Sequence, residues 1–164
     1  MGEFAKYLTW IEIMNYDVWS PFSNPTTGPV GPLDDSCVAD LSTQALGSAV
    51  SALQTWIDAG FPKEKILLGV PAYGYGYAVS QEDAFNPGSK TQLANSFRPY
   101  DPAKAPFGDA WQGPPSPDVC GVMGTASSVY NFWSLNAMGL VDSNGLPAEG
   151  VLNCFDECAK SVSR

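Results

Sequence analysis

Tyr7-Leu8-Thr9-Trp10-Ile11-Glu12-Ile13-Met14-Asn15-Tyr16 is the stretch on which the fold turns. Its aromatic and β-branched content and its length predict a buried strand ending near Asp17. Residues 20–40 then carry prolines at positions 21, 25, 29 and 32 and the pair Asp34-Asp35. That composition resists both helix and central strand, so a loop is expected. Beyond it, Ser42 is placed to cap a helix whose apolar residues Leu46, Ala49, Val50, Leu53, Trp56 and Ile57 recur at helical spacing. Gly60 falls past the end of that helix and Pro62 beyond. Ile66-Leu67-Leu68-Gly69-Val70-Pro71 follows, an almost uninterrupted apolar run that predicts a parallel strand covered on both faces. Strand, loop, helix and strand in this order form the crossover unit of α/β barrels and doubly wound sheets, and two strands close neither.

After Tyr77 the texture changes. Prolines and glycines crowd from Asn86 to Gly121, the apolar pieces shorten and periodicity is lost except near Ser127 to Gly139. Ser127 or Ser128 is placed to cap a second helix carrying Val129, Phe132, Trp133 and Met138, with Gly139 at its end, and Asp142-Ser143-Asn144-Gly145 reads as a turn. Tyr77 is the expected seam, dividing the chain into segments 1–77 and 78–164.

The net charge of −9, from 8 basic and 17 acidic residues, repels polyanions, so nucleic acid is excluded as a partner. The absence of histidine removes imidazole as general base and as metal ligand. No calcium-loop spacing or phosphate-binding fingerprint occurs, and neither metal nor cofactor is expected. The surviving chemistry is that of carboxylates, hydroxyls and aromatic faces. Cys37, Cys120, Cys154 and Cys158 lack zinc-ribbon spacing, so disulfides are expected ahead of metal, in a secreted, extracellular setting. No run of signal-peptide type opens the chain and no uninterrupted apolar stretch is long enough to span a membrane. No membrane partner is expected, and the opening residues are expected to differ from a native start.

In α/β barrels and open sheets, ligand chemistry gathers at the carboxyl ends of the strands. Asn15, Tyr16, Asp17 and Trp19 occupy that place after the first strand, and Tyr73, Gly74 and Tyr75 after the second. One reading is rim packing and a turn cap. The other is a sugar site, with Trp19 stacked under a pyranose and Tyr16 and Asp17 bonding its polar substituents. Trp111 is expected to pack in a core, the alternative being an exposed aromatic that stacks on a sugar, and Asp109 is expected to be a solvated turn carboxylate.

Ile13-Met14-Asn15-Tyr16-Asp17-Val18-Trp19, Val30-Gly31-Pro32-Leu33, Gly60-Phe61-Pro62 and Ile66 to Gly74 closely resemble fungal chitinases of glycoside hydrolase family 18. The likeness continues through Asp118-Val119-Cys120-Gly121, Val129-Tyr130-Asn131-Phe132-Trp133 and Phe155-Asp156-Glu157-Cys158. The resemblance implies part of an eight-stranded α/β (TIM) barrel, its sixth and seventh strands, followed by the α+β insertion domain of such chitinases. It also implies substrate-assisted chemistry on β-1,4-linked N-acetylglucosamine. Met14, Tyr16 and Asp17 match residues lining the acetamide pocket, and Tyr73 would line the neighbouring subsite. Chitin or chitooligosaccharide is therefore the expected partner.

The departures are equally specific. The family's acidic D-x-x-D-x-D-x-E run, which supplies the general acid, occurs nowhere in this sequence, and the eighth-strand tryptophan is not matched. Ser20, Phe22 and Tyr75 replace the residues usual at their positions. Cys120 with Cys158 is the expected disulfide; Cys154, where the family usually has another residue, pairs with Cys37 or stays free. The expectation is a chitinase-like polypeptide without a catalytic residue of its own, or, alternatively, a secreted non-catalytic chitooligosaccharide-binding or interaction protein. Two bare strand edges and an uncovered apolar helix face require either self-association or a sheet rebuilt from the second segment.

Overall fold

The computed structural model describes residues 2–22, 24–36, 46–94 and 97–163. The chain divides into two compact units, the first made of Met1–Trp19, Pro29–Pro71 and Phe155–Ser163, the second of Ser20–Gly28 and Ala72–Cys154. The change of unit thus falls at Pro71 rather than Tyr77. Residues 20–28 belong with the second unit and 155–163 with the first, an exchange that composition does not signal.

In the first unit, strand β1 (Ile11–Met14) pairs in parallel with β2 (Ile66–Gly69), with Ile11 opposite Ile66 and Met14 opposite Gly69. Helix α1 (Ala49–Asp58) makes the crossover. It begins later than the apolar spacing predicts, because Gly47 at φ 105° precedes a capping box built by Ser48 and Ser51. The Ser48 Oγ accepts from the Ser51 N–H at 3.1 Å and donates to Asp35 Oδ1 at 2.7 Å. The predicted cap Ser42 lies outside the described residues. The helix ends as expected before Gly60, at φ 82°, a backbone conformation that glycine adopts without steric cost. Phe61, 2 % exposed, then packs edge-on to Trp56 with ring centroids 5.7 Å apart.

β2 differs from expectation on burial. Leu67 and Leu68 are about half exposed, as are Val50 and Leu53 on α1. Among the described residues β1 and β2 form a two-stranded sheet, and strands of the second unit pair elsewhere. The sheet has not been rebuilt, so the apolar run lacks the two-sided cover its sequence anticipates.

In the second unit, β3 (Tyr73–Tyr75) pairs antiparallel with β4 (Val129–Asn131), Gly74 facing Tyr130. Between them lies the single turn α2 (Gln81–Ala84), capped by Ser80. Helix α3 (Phe132–Ala137) follows β4 directly. The predicted helix start at Ser127 or Ser128 is corrected by that pairing, which holds 129–131 extended; Ser128 is at φ 54° and fully buried. Asp142 organises the predicted turn by accepting from the Asn144 and Leu146 N–H groups. A last pair of short strands, β5 (Cys154–Asp156) and β6 (Ser161–Ser163), forms its own two-stranded sheet and, Cys154 apart, belongs to the first unit.

The expected Cys120–Cys158 disulfide does not form. Cys120 sits in an exposed turn with a free thiol, whereas Cys158 makes its disulfide elsewhere. Cys37 lies outside the described residues.

Candidate functional site

The carboxyl end of β1 displays the residues that the sequence singled out. Met14, the last residue of the strand, is 69 % exposed, and Tyr16 is half-buried beyond it. Asn15 points inward, its side-chain amide donating to the Pro32 carbonyl at 3.2 Å, and so fixes the path of the chain between them. Asp17 is exposed and adopts φ 57°. That left-handed conformation is uncommon for a residue with a side chain, although Asp tolerates it better than most. Val18 then bonds back to Val30 at 3.0 Å, closing the loop.

Gly69 on β2 makes room for this arrangement. A Cβ there would stand 2.8 Å from Glu12 Oε1, 3.0 Å from Tyr16 Cε1 and 3.1 Å from the Ile13 carbonyl oxygen. The Tyr16 ring therefore lies over backbone at the second strand's carboxyl end. The parallel register sets Met14 opposite Gly69, and Tyr16 and Asp17 follow directly beyond that end of β1.

Trp19 does not join them. It is 2 % exposed, so the expectation of a sugar-stacking face is corrected: the ring fills the interior, where a large apolar surface contributes most. Tyr73 lies in the other unit, on β3, its ring edge-on to Tyr75 at 5.9 Å.

Sequence reasoning misjudged a second cluster. Asp109 is 4 % exposed, not solvated. Its Oδ2 accepts from the Asn131 backbone N–H at 3.0 Å, the Asn131 side-chain amide at 2.6 Å and the Trp111 indole N–H at 3.2 Å. Burial opposes ionisation of this carboxyl, but the Ser134 hydroxyl, Asn131 and Trp111 outweigh it and hold its pKa below the usual 3.8. Trp111 is 67 % exposed rather than in a core. The signal available was the Asp-x-Trp spacing around a short turn, which is too common to single out. Among the described residues no group of three or more His, Cys, Asp or Glu could hold a metal ion, and no helix is long and apolar enough to cross a membrane.

The profile of glycosyl hydrolases family 18 matches residues 1–131. A chitinase-like effector of Moniliophthora roreri is 47 % identical over 158 residues, which cover 96 % of this chain and 37 % of that protein. Among solved structures, a chitinase from Rhizomucor miehei superposes with a TM-score of 0.72 at 24 % identity, over 99 % of this chain and 40 % of the other. YKL-39, crystallised in the presence of chitooligosaccharides (GlcNAc4), superposes with a TM-score of 0.61 at 17 % identity, over 98 % of this chain and 35 % of the other. The chain belongs to glycosyl hydrolases family 18, with the TIM-barrel-type fold of that family. Within it, the chain is a chitinase-like polypeptide that spans little more than a third of the length of the relatives it matches.

Proposed function

We propose that this chain supplies the sixth and seventh strands and the α+β insertion of a family 18 barrel, and binds chitooligosaccharide without hydrolysing it. The observation that carries this reading is Asp17, exposed at φ 57° and following Tyr16 directly beyond the carboxyl end of β1. Tyr16 would donate its hydroxyl hydrogen to an acetamide carbonyl, Asp17 would accept from the acetamide N–H, and Met14 would contact the methyl group. The family's acidic run is absent from the given sequence, which supports binding without hydrolysis by this chain. The chitooligosaccharides named with YKL-39 support the same ligand class, and the effector relative supports a secreted setting.

Calorimetric titration with chitotetraose, followed by analysis of the mixture for shorter sugars, tests this. Saturable binding without cleavage, weakened roughly tenfold or more in Asp17→Ala, is expected. Cleavage would require another carboxylate as acid, and absence of binding at millimolar sugar would overturn the reading. The bare edges of β1 and β2 and the exposed Leu67 and Leu68 favour self-association when the chain is alone. Sedimentation should then show a concentration-dependent dimer.

A further inference from the structure

Glu12 is the charged residue of the β1–β2 ladder, set between Ile11 and Ile13. Glutamate is depleted in strands, and the residue opposite it in the parallel register is Leu67, with Ile66, Leu68 and Gly69 along the rest of β2. No cation faces it across the ladder. Lys65, which precedes β2, donates instead to the Ala5 and Leu8 carbonyl oxygens at 2.8 and 3.3 Å. Among the described residues the ion pairs are Lys6–Glu3, Lys104–Asp101 and Lys160–Glu157, and Glu12 belongs to none of them.

The Glu12 side chain nevertheless has a defined place. It shares a sheet face with Met14, Leu67 and Gly69. That face has a notch over Gly69, where a Cβ would stand 2.8 Å from Glu12 Oε1 and 3.0 Å from Tyr16 Cε1. The carboxylate and the phenol ring therefore converge on the space above bare backbone, at the carboxyl end of the sheet. A carboxylate beside an aromatic ring suits an ammonium group. The oxygen accepts a charge-assisted hydrogen bond, about twice as strong as a neutral one, and the ring attracts the cation. The net charge of −9 also draws cations towards the chain.

In an oligomer of β-linked 2-amino sugars, the ammonium group is the free amine of a glucosamine unit, which N-acetylation replaces by a neutral amide. We infer that Glu12 is a specificity-determining contact of the site proposed above, taking the protonated amine of a glucosamine unit, so that the chain prefers partially deacetylated oligomers to fully N-acetylated ones. This inference rests on the sugar lying at the carboxyl end of β1. It adds a choice among ligands that the acetamide contacts of Met14, Tyr16 and Asp17 do not make.

The test is calorimetric titration of the unmodified chain, Glu12→Gln and Glu82→Gln with chitotetraose and with a tetramer of alternating N-acetylglucosamine and glucosamine units, at about pH 5.5, where an amine is protonated. Glu82→Gln removes the same charge from α2 in the second unit and reports the general field. The expected result is an affinity for the mixed tetramer about two- to fivefold above that for chitotetraose, the range of a solvent-exposed ion pair, abolished in Glu12→Gln and kept in Glu82→Gln. Raising the salt concentration should shrink the preference of the unmodified chain, which decides the matter even if Glu12→Gln fails to fold. A mixed tetramer bound no more tightly than chitotetraose, a preference that survives in Glu12→Gln, or one indifferent to salt overturns this inference and leaves the chitotetraose reading standing. Binding of the mixed tetramer but not of chitotetraose, lost in Glu12→Gln, upholds this inference and overturns chitotetraose as a ligand. Absence of binding of either sugar by the unmodified chain overturns both.

Discussion

Asp109 and Asn131 are joined twice through one oxygen: Asp109 Oδ2 accepts both the backbone N–H and the side-chain amide of Asn131. A buried carboxylate so bonded is worth most when ionised. Its pKa lies below the ordinary 3.8 because the Ser134, Asn131 and Trp111 bonds exceed the cost of burial. A depressed folded pKa contributes stability that is present above the unfolded value and lost as pH falls through the folded one. The second unit should therefore lose stability below about pH 4, more steeply than in Asp109→Asn. Urea midpoints measured between pH 6 and pH 2.5 check this, and parallel curves for the two proteins would count against it.

Phe61 is a core anchor of the first unit, 2 % exposed and edge-on to Trp56. Phe61→Ala should destabilise by about 3–5 kcal/mol, as expected for a large buried aromatic truncated without collapse of the site. The denaturant midpoint reads this, and a loss below about 1 kcal/mol would mean that the surroundings close over the gap.

Gly69→Ala tests the approach of Tyr16 to β2. The added methyl meets Glu12, Tyr16 and the Ile13 carbonyl at 2.8 to 3.1 Å, and the backbone oxygen cannot swing aside. A destabilisation of about 1–3 kcal/mol is expected, with chitotetraose affinity reduced because Tyr16 is displaced. Unchanged affinity would show that Tyr16 plays no part in binding.

Ser48 both caps α1 and donates to Asp35. Ser48→Ala should cost about 1–2 kcal/mol, the upper part of the range for a lost cap. Ser48→Asp keeps an acceptor but faces Asp35, and like charges there should make it no better than alanine.

The parallel pairing of Ile11–Met14 with Ile66–Gly69 and the crossover helix were legible, because hydrophobic period and strand composition act locally. Met14 ends β1, and Tyr16 and Asp17 follow it, as the strand reading anticipated. Three things were not legible. The fate of Trp19 and Trp111 was inverted, since a tryptophan's exposure depends on what long-range packing leaves uncovered. The strand at Val129–Asn131 was taken as helix because Phe132 and Trp133 continue a helical spacing that its partner Tyr73–Tyr75 overrides. The disulfide guess failed at Cys120, whose exposure is set by a turn around Asp118 that bonds the Cys120 and Val122 N–H groups.

The Leu33 N–H donates to the carbonyl of Ala159 at 2.9 Å, within a unit from which the chain departs and to which it returns only after the whole of 72–154. During ribosomal synthesis the later-starting unit can therefore be complete before the earlier one has received its final segment. Loop closure across so many residues is slow compared with forming the crossover helix. Until it occurs, the Leu33 N–H lacks its Ala159 acceptor, and the first unit stays incomplete for longer than the second.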